Sequence, residues 1–577
     1  MDLIDFFTKD LSPRQKQYEA IRAVAFHEGS IKQIAQRFGY TPQSLRTLIN
    51  QLLKGKHQLF PEIKRGPKTR RLSEKTQALI IKLRREKKLN TKQITELINQ
   101  EGLSISVRTV ERFLADAGFP KLRRRTNKER GISKNGTLLS QRSVHLDFTK
   151  LKPFQAQCQV AGVFFFLPYI LETGVLDIVQ DCPLPQSSDI GKQQAALSML
   201  LLKLIGNKRL SHIKHYSDDS GFGVFAGLNV LPKPTYMCTY SCLAGDSVLM
   251  DFQRRLVERF RFLYPDLYQG KIINLDFHTI PHFGDLAELE KVWSGVHGKA
   301  LKGANTFFAQ DGQSDSILYT RADIKRSESS EEIKNFVDYW IKVNGVVDGT
   351  LVFDSKLTRY DILYELDGNH IKFITLRKRC SGLNEQTLKI AEKDWERIYL
   401  PIPKRKYKYF KIHESKVSLI KGKKELRQII IKDHGRSEPT YLISNNDKLP
   451  TKELLTIYAK KSHIENKLSE LVGFFNLNAL SSPLMIRIHF DVLWTVIADT
   501  LYHLFARDLR RFENCKADKI FKQFVDMPGL IEFDGNSFTV KIRKRSSTPV
   551  LLGLDKLNSD IPVPWLGNRP LKIRWVS

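Results

Sequence analysis

Two short apolar runs each deliver an aspartate at the same point, and that pairing constrains this chain more than any other feature. In KIINLDFHTIPHFGD, residues 271–285, the run over 271–275 reads as a strand, and Asp276 comes where it should end. In GTLVFDSKL, residues 349–357, Leu351, Val352 and Phe353 lead in the same way into Asp354. A carboxylate in an apolar strand is costly if buried alone, so each of these calls for a cationic partner or a metal. A third acid, Glu465, lies in TKELLTIYAKKSHIENKLSELVGFF, whose apolar spacing predicts one helix starting near Thr451. Two strand-end aspartates and a helical glutamate can converge from sheet and helix. That geometry holds two divalent cations about 3.5–4 Å apart for phosphodiester chemistry.

The charge of the chain agrees with such a substrate. Lys and Arg number 93 against 62 Asp and Glu, a surplus of 31 in a chain of 577 residues that is 41% hydrophobic. That combination favours packed cores and a polyanionic partner, nucleic acid before membrane. A basic soluble protein of another kind, such as a ribosome-associated factor, would share the charge, so the motifs must decide. The length suits about three to four domains. The most apolar run, starting at Val160, is interrupted by Pro168 and Glu172 and reads as buried core, not a membrane span. The acidic start MDLIDFFTKDL is no signal peptide. Of the six cysteines only Cys238 and Cys242 are close, and no second pair or histidine completes a zinc site. Buried free thiols in a reducing compartment are expected.

Residues 1–55 read as a helix-turn-helix DNA-binding unit. Ser12 caps a first helix opened by Pro13, and Thr41 caps a later one opened by Pro42. Ala35 is small where two helices meet, Gly39 marks the turn, and Leu45 and Leu48 supply an apolar face. Gln43, Ser44, Arg46 and Thr47 are left outward as DNA-binding candidates. A helical hairpin without DNA has the same apolar pattern. Residues 56–72 form a basic linker broken by prolines, in which Arg65 and Lys68 would suit a phosphate backbone. A second helix-turn-helix unit is expected over 73–120, with Ser106 capping its last helix and Arg108, Thr109 and Arg112 outward. A basic tether follows over 121–139, then a mainly helical intermediate domain over 140–270. Asp147, in SVHLDFTKL, imitates a strand-end acid and ranks below Asp276.

Asp276, Asp354 and Glu465 resemble the acidic triad of DDE transposases, which use a ribonuclease-H-like fold. One branch, from bacterial insertion sequences, carries Tyr, two residues, Arg, three residues, Glu, six residues, Lys. Tyr458, Lys461 and Glu465 stand at the matching spacing, with Lys replacing Arg. Val472 stands where the final Lys would be, and Lys467 is the nearest substitute, on another part of the helix. The resemblance covers roughly residues 271–510, and the segment over 221–241 is similar to one found before the catalytic core.

The resemblance implies a multidomain chain: N-terminal all-α helix-turn-helix units, then a central α/β ribonuclease-H-like core in two parts, 271–379 and 451–511. A β-rich insertion over 380–450 would separate Asp354 from Glu465, and 512–577 would be a basic tail of short strands or extended chain. It implies Asp276, Asp354 and Glu465 as catalytic residues holding two Mg²⁺ ions, with Mn²⁺ able to substitute, and Tyr458 and Lys461 contacting DNA near the scissile phosphate. The implied activity is metal-dependent cleavage and strand transfer on double-stranded DNA, with terminal inverted repeats and a target as partners. A homodimer in the active complex, no membrane, and a cytoplasmic, nucleoid-associated location follow from the same resemblance. Two alternatives stay open: a catalytically inactive, transposase-derived DNA-binding regulator, and a DNA nuclease that hydrolyses without joining. His278 and His282, beside Asp276, read as structural before catalytic.

Overall fold

The computed structural model describes residues 12–60, 72–87, 89–119, 144, 146–148, 150–282, 289–294, 298–322, 324–401, 407–479 and 485–577. The chain divides into two compact units, 1–87 and 88–577. The division falls inside the helical unit expected over 73–120, between helices Glu74–Glu86 and Thr91–Gln100.

In the first unit, helices Pro13–Ala25, Ile31–Arg37 and Pro42–Leu53 close on a small core of Ala20, Ala23, Ile34, Ala35 and Leu45. Each starts at a capping box, in which Ser12, Ser30 and Thr41 accept from the N–H groups of Gln15, Gln33 and Ser44. Each such cap stabilises by about 1 kcal/mol. The second helix stops at Gly39, whose φ of +66° needs no side chain. There the Gly39 and Tyr40 N–H groups donate to the carbonyls of Gln36 and Ala35 at 3.2 and 2.7 Å, a Schellman ending.

The second unit carries two sheets. Strand β1 (Phe154–Cys158) precedes a helical stretch. Then come β2 (Ile272–Pro281), β3 (Lys291–Ser294), β4 (Lys299–Asp311), β5 (Ile317–Arg321), β6 (Thr350–Val352) and β7 (Lys372–Leu376). Next are β8 (Glu396–Tyr399), β9 (Tyr409–Val417), β10 (Leu426–Lys432) and β11 (Thr440–Ser444). Last are β12 (Gly529–Phe533), β13 (Phe538–Arg543), β14 (Ile561–Val563) and β15 (Arg569–Val576).

The larger sheet runs β3-β4-β2-β6-β7-β11-β10-β9-β8, with β5 also on β4. β5, β4 and β2 are antiparallel, whereas β2, β6 and β7 are parallel. The parallel strands are linked by helices Glu332–Asn344 and Tyr360–Gly368, as parallel crossovers require. In β2, Ile273, Asn274 and Leu275 are all buried, so this strand is covered on both faces.

Two glycines set how β6 lies on β2. A Cβ on Gly349 would overlap the Gly270 carbonyl oxygen, and one on Gly270 would overlap the buried Trp340 ring. That close approach lets the Thr350 N–H donate to the Lys271 carbonyl at 2.9 Å and starts the parallel ladder.

Several expectations need correction. The strand holding Asp276 does not end there: pairing with β4 continues to Pro281 opposite Gly303, while pairing with β6 stops at Asn274 opposite Val352. The β-rich segment over 380–450 is not set apart from the core, because β11 pairs with β7 and β8 to β11 extend the same sheet. The tail beyond 512, expected as short strands or extended chain, holds short strands that join the rest of the unit: β12 pairs with β1 in a five-stranded sheet, β1-β12-β13-β15-β14. The helix expected from Thr451 is two, Thr451–Lys460 and Ser462–Gly473, meeting at Lys461. Asp147 lies outside any strand.

The apolar run from Val160 is core, with Phe164, Phe165 and Phe166 fully buried against Phe225, Tyr502 and Phe505. Among the described residues no single helix is long and apolar enough to cross a membrane. All six cysteines are free, but only Cys158 and Cys182 are buried, and Cys380 is exposed.

Candidate active site

The β2/β6 register places the first two acids. Asn274 lies opposite Val352 in the last pair of β2 and β6, and Asp276 and Asp354 each follow two residues later. Adjacent strands run about 4.8 Å apart, close enough for both carboxylates to serve one site. Asp354 leaves the strand in a local turn, its Oδ1 accepting from the Lys356 N–H at 3.0 Å. Thr358 donates its hydroxyl to the Asp354 carbonyl at 3.2 Å and holds that turn to the sheet. Asp276 Oδ1 accepts from the Phe277 N–H at 2.8 Å.

Helix Ser462–Gly473 brings the third acid, and Glu465 is exposed on it. The residue that connects all three is Tyr458. Its phenol is held above its ordinary pKa by burial first, and then by the charges of Asp354, Asp276 and Glu465, with Arg436 opposing. One phenol thus feels three carboxylates.

Lys461 occupies the centre of this arrangement. Placed at the junction of two helices, it turns inward, and its Nζ lies 3.2 Å from Asp276 Oδ2. Expected to contact DNA near the scissile phosphate, Lys461 is here buried and paired with Asp276. Lys356, over the Phe277 ring at 5.1 Å, is a second cation acting with Asp354 and Asp276. His278 Nε2 pairs with Asn478 Oδ1 at 2.6 Å, and burial pushes its pKa down, opposed by Asn478 and Asp276. Burial also lowers the pKa of His282.

Among the described residues no three His, Cys, Asp or Glu side chains stand close enough together to hold a metal ion. The donors fit a hard divalent cation in kind, since all are carboxylates. The Asp276 carboxylate is paired here with the Lys461 ammonium.

Behind Glu465, Lys467 faces away from the acids. Its Nζ lies 2.7 Å from Asp499 on helix Met485–Asp508 and 3.7 Å from Glu470, all nearly buried. This is why Lys467 is no substitute for the lysine missing at Val472: it anchors the helix that carries Glu465.

Beside Asp354 opens a cavity of about 340 Å³ lined by Ser355, Leu376, Arg377, Lys378, Arg379, Arg436, Thr440 and Tyr441. Its cations escaped the sequence reading. The signal was the run Arg377, Lys378, Arg379 directly after an apolar strand, which reads equally well as a solvated strand end.

On the N-terminal helices, Gln43, Ser44, Arg46 and Thr47 are exposed. The Ser44 hydroxyl is taken up in the Thr41 capping box and that of Thr47 donates to the Gln43 carbonyl at 2.9 Å. Arg108 and Arg112 are exposed, whereas the Thr109 hydroxyl pairs with that of the cap Ser106 at 2.9 Å. Arg65 and Lys68 lie outside the described residues.

No family model matches the chain. No curated protein matches it. Among solved structures it is similar to a pre-cleavage Mos1 transpososome, at 8% identity over 63% of this chain and 78% of that one, with a TM-score of 0.14. It is also similar to a Mos1 strand transfer complex, at 10% identity over 65% and 79%, again with a TM-score of 0.14. Likeness at that TM-score carries no argument about this chain's fold or chemistry.

Proposed function

We propose that the chain is a DNA transposase of the DDE type, which binds element ends through its N-terminal helices and cuts and joins strands at Asp276, Asp354 and Glu465. The observation that supports this reading is the parallel register of β2 and β6, whose last pair, Asn274 and Val352, stands two residues before Asp276 and Asp354. Three antiparallel strands followed by two parallel ones support a ribonuclease-H-like core. The Tyr458, Lys461, Glu465 spacing supports the insertion-sequence branch.

In this reading the three acids hold two Mg²⁺ ions, which when bound supply Lewis acidity for phosphodiester cleavage and transesterification. Asp276 is fixed within β2, and Asp354 stands in the turn after β6 that Thr358 holds. Glu465 approaches from the helix side. Lys461 neutralises Asp276 while the site is empty of DNA, and its charge suits a DNA phosphate when that pairing opens. The buried Lys467–Asp499 pair positions the Glu465 helix.

One observation favours the alternative of a DNA-binding regulator that does not cut: Asp276 is paired with a lysine, and among the described residues no three such acids stand close enough to hold a metal ion. A strand-joining assay separates the two. With Mg²⁺, a linear DNA bearing the flanks of the chain's own gene, and a circular target, the transposase reading expects covalently joined product. Binding to the flanks with neither cut nor joined strands would establish the regulator instead.

A further inference from the structure

We propose that the basic cavity beside Asp354 holds a backbone phosphate of the DNA strand engaged at the acids, one position removed from the phosphate that is cut. This rests on the reading of the acids as a DNA-processing site.

The cavity is lined by Arg377, Lys378, Arg379 and Arg436, and no carboxylate lines it. Two of the four cations are held in place and two are free. The Arg377 guanidinium donates to Gln428 Oε1 at 3.0 Å. That of Arg379 donates to Glu438 at 3.1 Å and Thr440 Oγ1 at 3.2 Å. Lys378 and Arg436 are exposed and make no hydrogen bond or ion pair with a described residue. Held guanidinium groups offer planar, paired donors, and a phosphate is the anion they suit.

The cavity's location sets which phosphate. Ser355, on its wall, is the residue after Asp354, so its rim and the acids are neighbours along the chain. A strand lying across the acids therefore passes the cavity mouth. A volume of about 340 Å³ is at the small end for a ligand pocket and does not admit a duplex, so what enters is one phosphate with the sugar it carries. The β7 and β11 ends that build the walls belong to the same sheet as Asp276, so the cavity is rigidly placed relative to the cut.

The test uses the full chain and duplexes from the flanks of its own gene, each with a single phosphate made neutral as a methylphosphonate. In the wild type, neutralising one phosphate next to the cut should weaken binding and lower the dependence of log affinity on log salt by about 1. In the double variant Lys378→Ala/Arg436→Ala, binding to unmodified DNA should show a shallower slope than the wild type, and neutralising that phosphate should cost less than it costs the wild type. Both residues are exposed, so the variant should keep the wild-type melting temperature. An unchanged salt slope in the variant, with wild-type DNA binding and cleavage intact, would overturn the cavity's role and leave the active-site reading standing. If the wild type bound no DNA at all, both would fall. Competition of the DNA by millimolar inorganic phosphate or a free mononucleotide, lost in the double variant, would assign the cavity to a small anion and also overturn the proposal.

Discussion

Lys461 Nζ stands 3.2 Å from Asp276 Oδ2, with only 8% of the lysine side chain and 16% of the aspartate side chain exposed. A cation held this close to a carboxylate competes directly with any divalent ion that the carboxylate would bind. Lys461→Met should therefore tighten Mn²⁺ binding to the DNA-free protein by about 10-fold, equivalent to ~1.4 kcal/mol. Titration calorimetry reads this without any need for activity. An unchanged affinity would mean that Asp276 is not among the ligands, or that the pair opens without cost.

The buried Lys467–Asp499 pair predicts both a loss and a pH dependence. Lys467→Met leaves Asp499 buried without its cation and should destabilise the second unit by about 3–5 kcal/mol, measured by denaturant unfolding. Burial raises the Asp499 pKa from 3.8 to about 6, with Lys467 opposing. Between those values the folded chain holds a proton that the unfolded chain has lost, so this group lowers stability as pH rises through the window. Asp499→Asn should remove that slope, and identical slopes in variant and wild type would contradict it.

Gly349 should tolerate no side chain. A methyl group there meets the Gly270 carbonyl, so Gly349→Ala must push β6 away from β2 and shift Asp354 relative to Asp276. The expected cost is about 1–3 kcal/mol of stability, as for overpacking elsewhere. Cleavage should fall further than binding, because only the acids are misaligned. Equal losses in the two assays would leave the glycine a purely structural role.

Asp276, Asp354 and Glu465 stand out in the sequence because each sits where local pattern is strong. Asp276 and Asp354 follow short apolar runs, and Glu465 stands in an amphipathic stretch. What local pattern could not carry was the partner of each charge. Lys461 faces Asp276 only because the chain bends between helices Thr451–Lys460 and Ser462–Gly473, and nothing in the residue order there breaks a helix. Likewise β8 to β11 carry the alternation of any hairpin, and their joining to β7 is decided by a long-range pairing of Ile374, Thr375 and Leu376. β1 finds β12 across most of the chain, through the pairing of Phe154 with Phe533. The caps, by contrast, are local, and Ser12, Thr41 and Ser106 all act as their positions implied.

The N-terminal helices should read sequence mainly through arginine. In the full chain, Arg46→Ala and Arg108→Ala are each expected to cost about 1–3 kcal/mol of discrimination between the gene's flanks and random DNA if they touch bases. Uniformly weaker binding with a shallower salt slope would mark them as phosphate contacts instead. No change in either would remove these helices from DNA recognition.

The central claim is that Asp276, Asp354 and Glu465 act as one metal-dependent site. It is tested most directly by the rate of strand cleavage in Mg²⁺ on DNA carrying the gene's flanks, measured for Asp276→Asn, Asp354→Asn and Glu465→Gln beside the wild type. Each amide keeps the shape and removes one ligating charge. The account predicts that every variant binds the DNA as the wild type does and cleaves at least about 10²–10³-fold more slowly. A wild-type cleavage rate in any one of the three would contradict it.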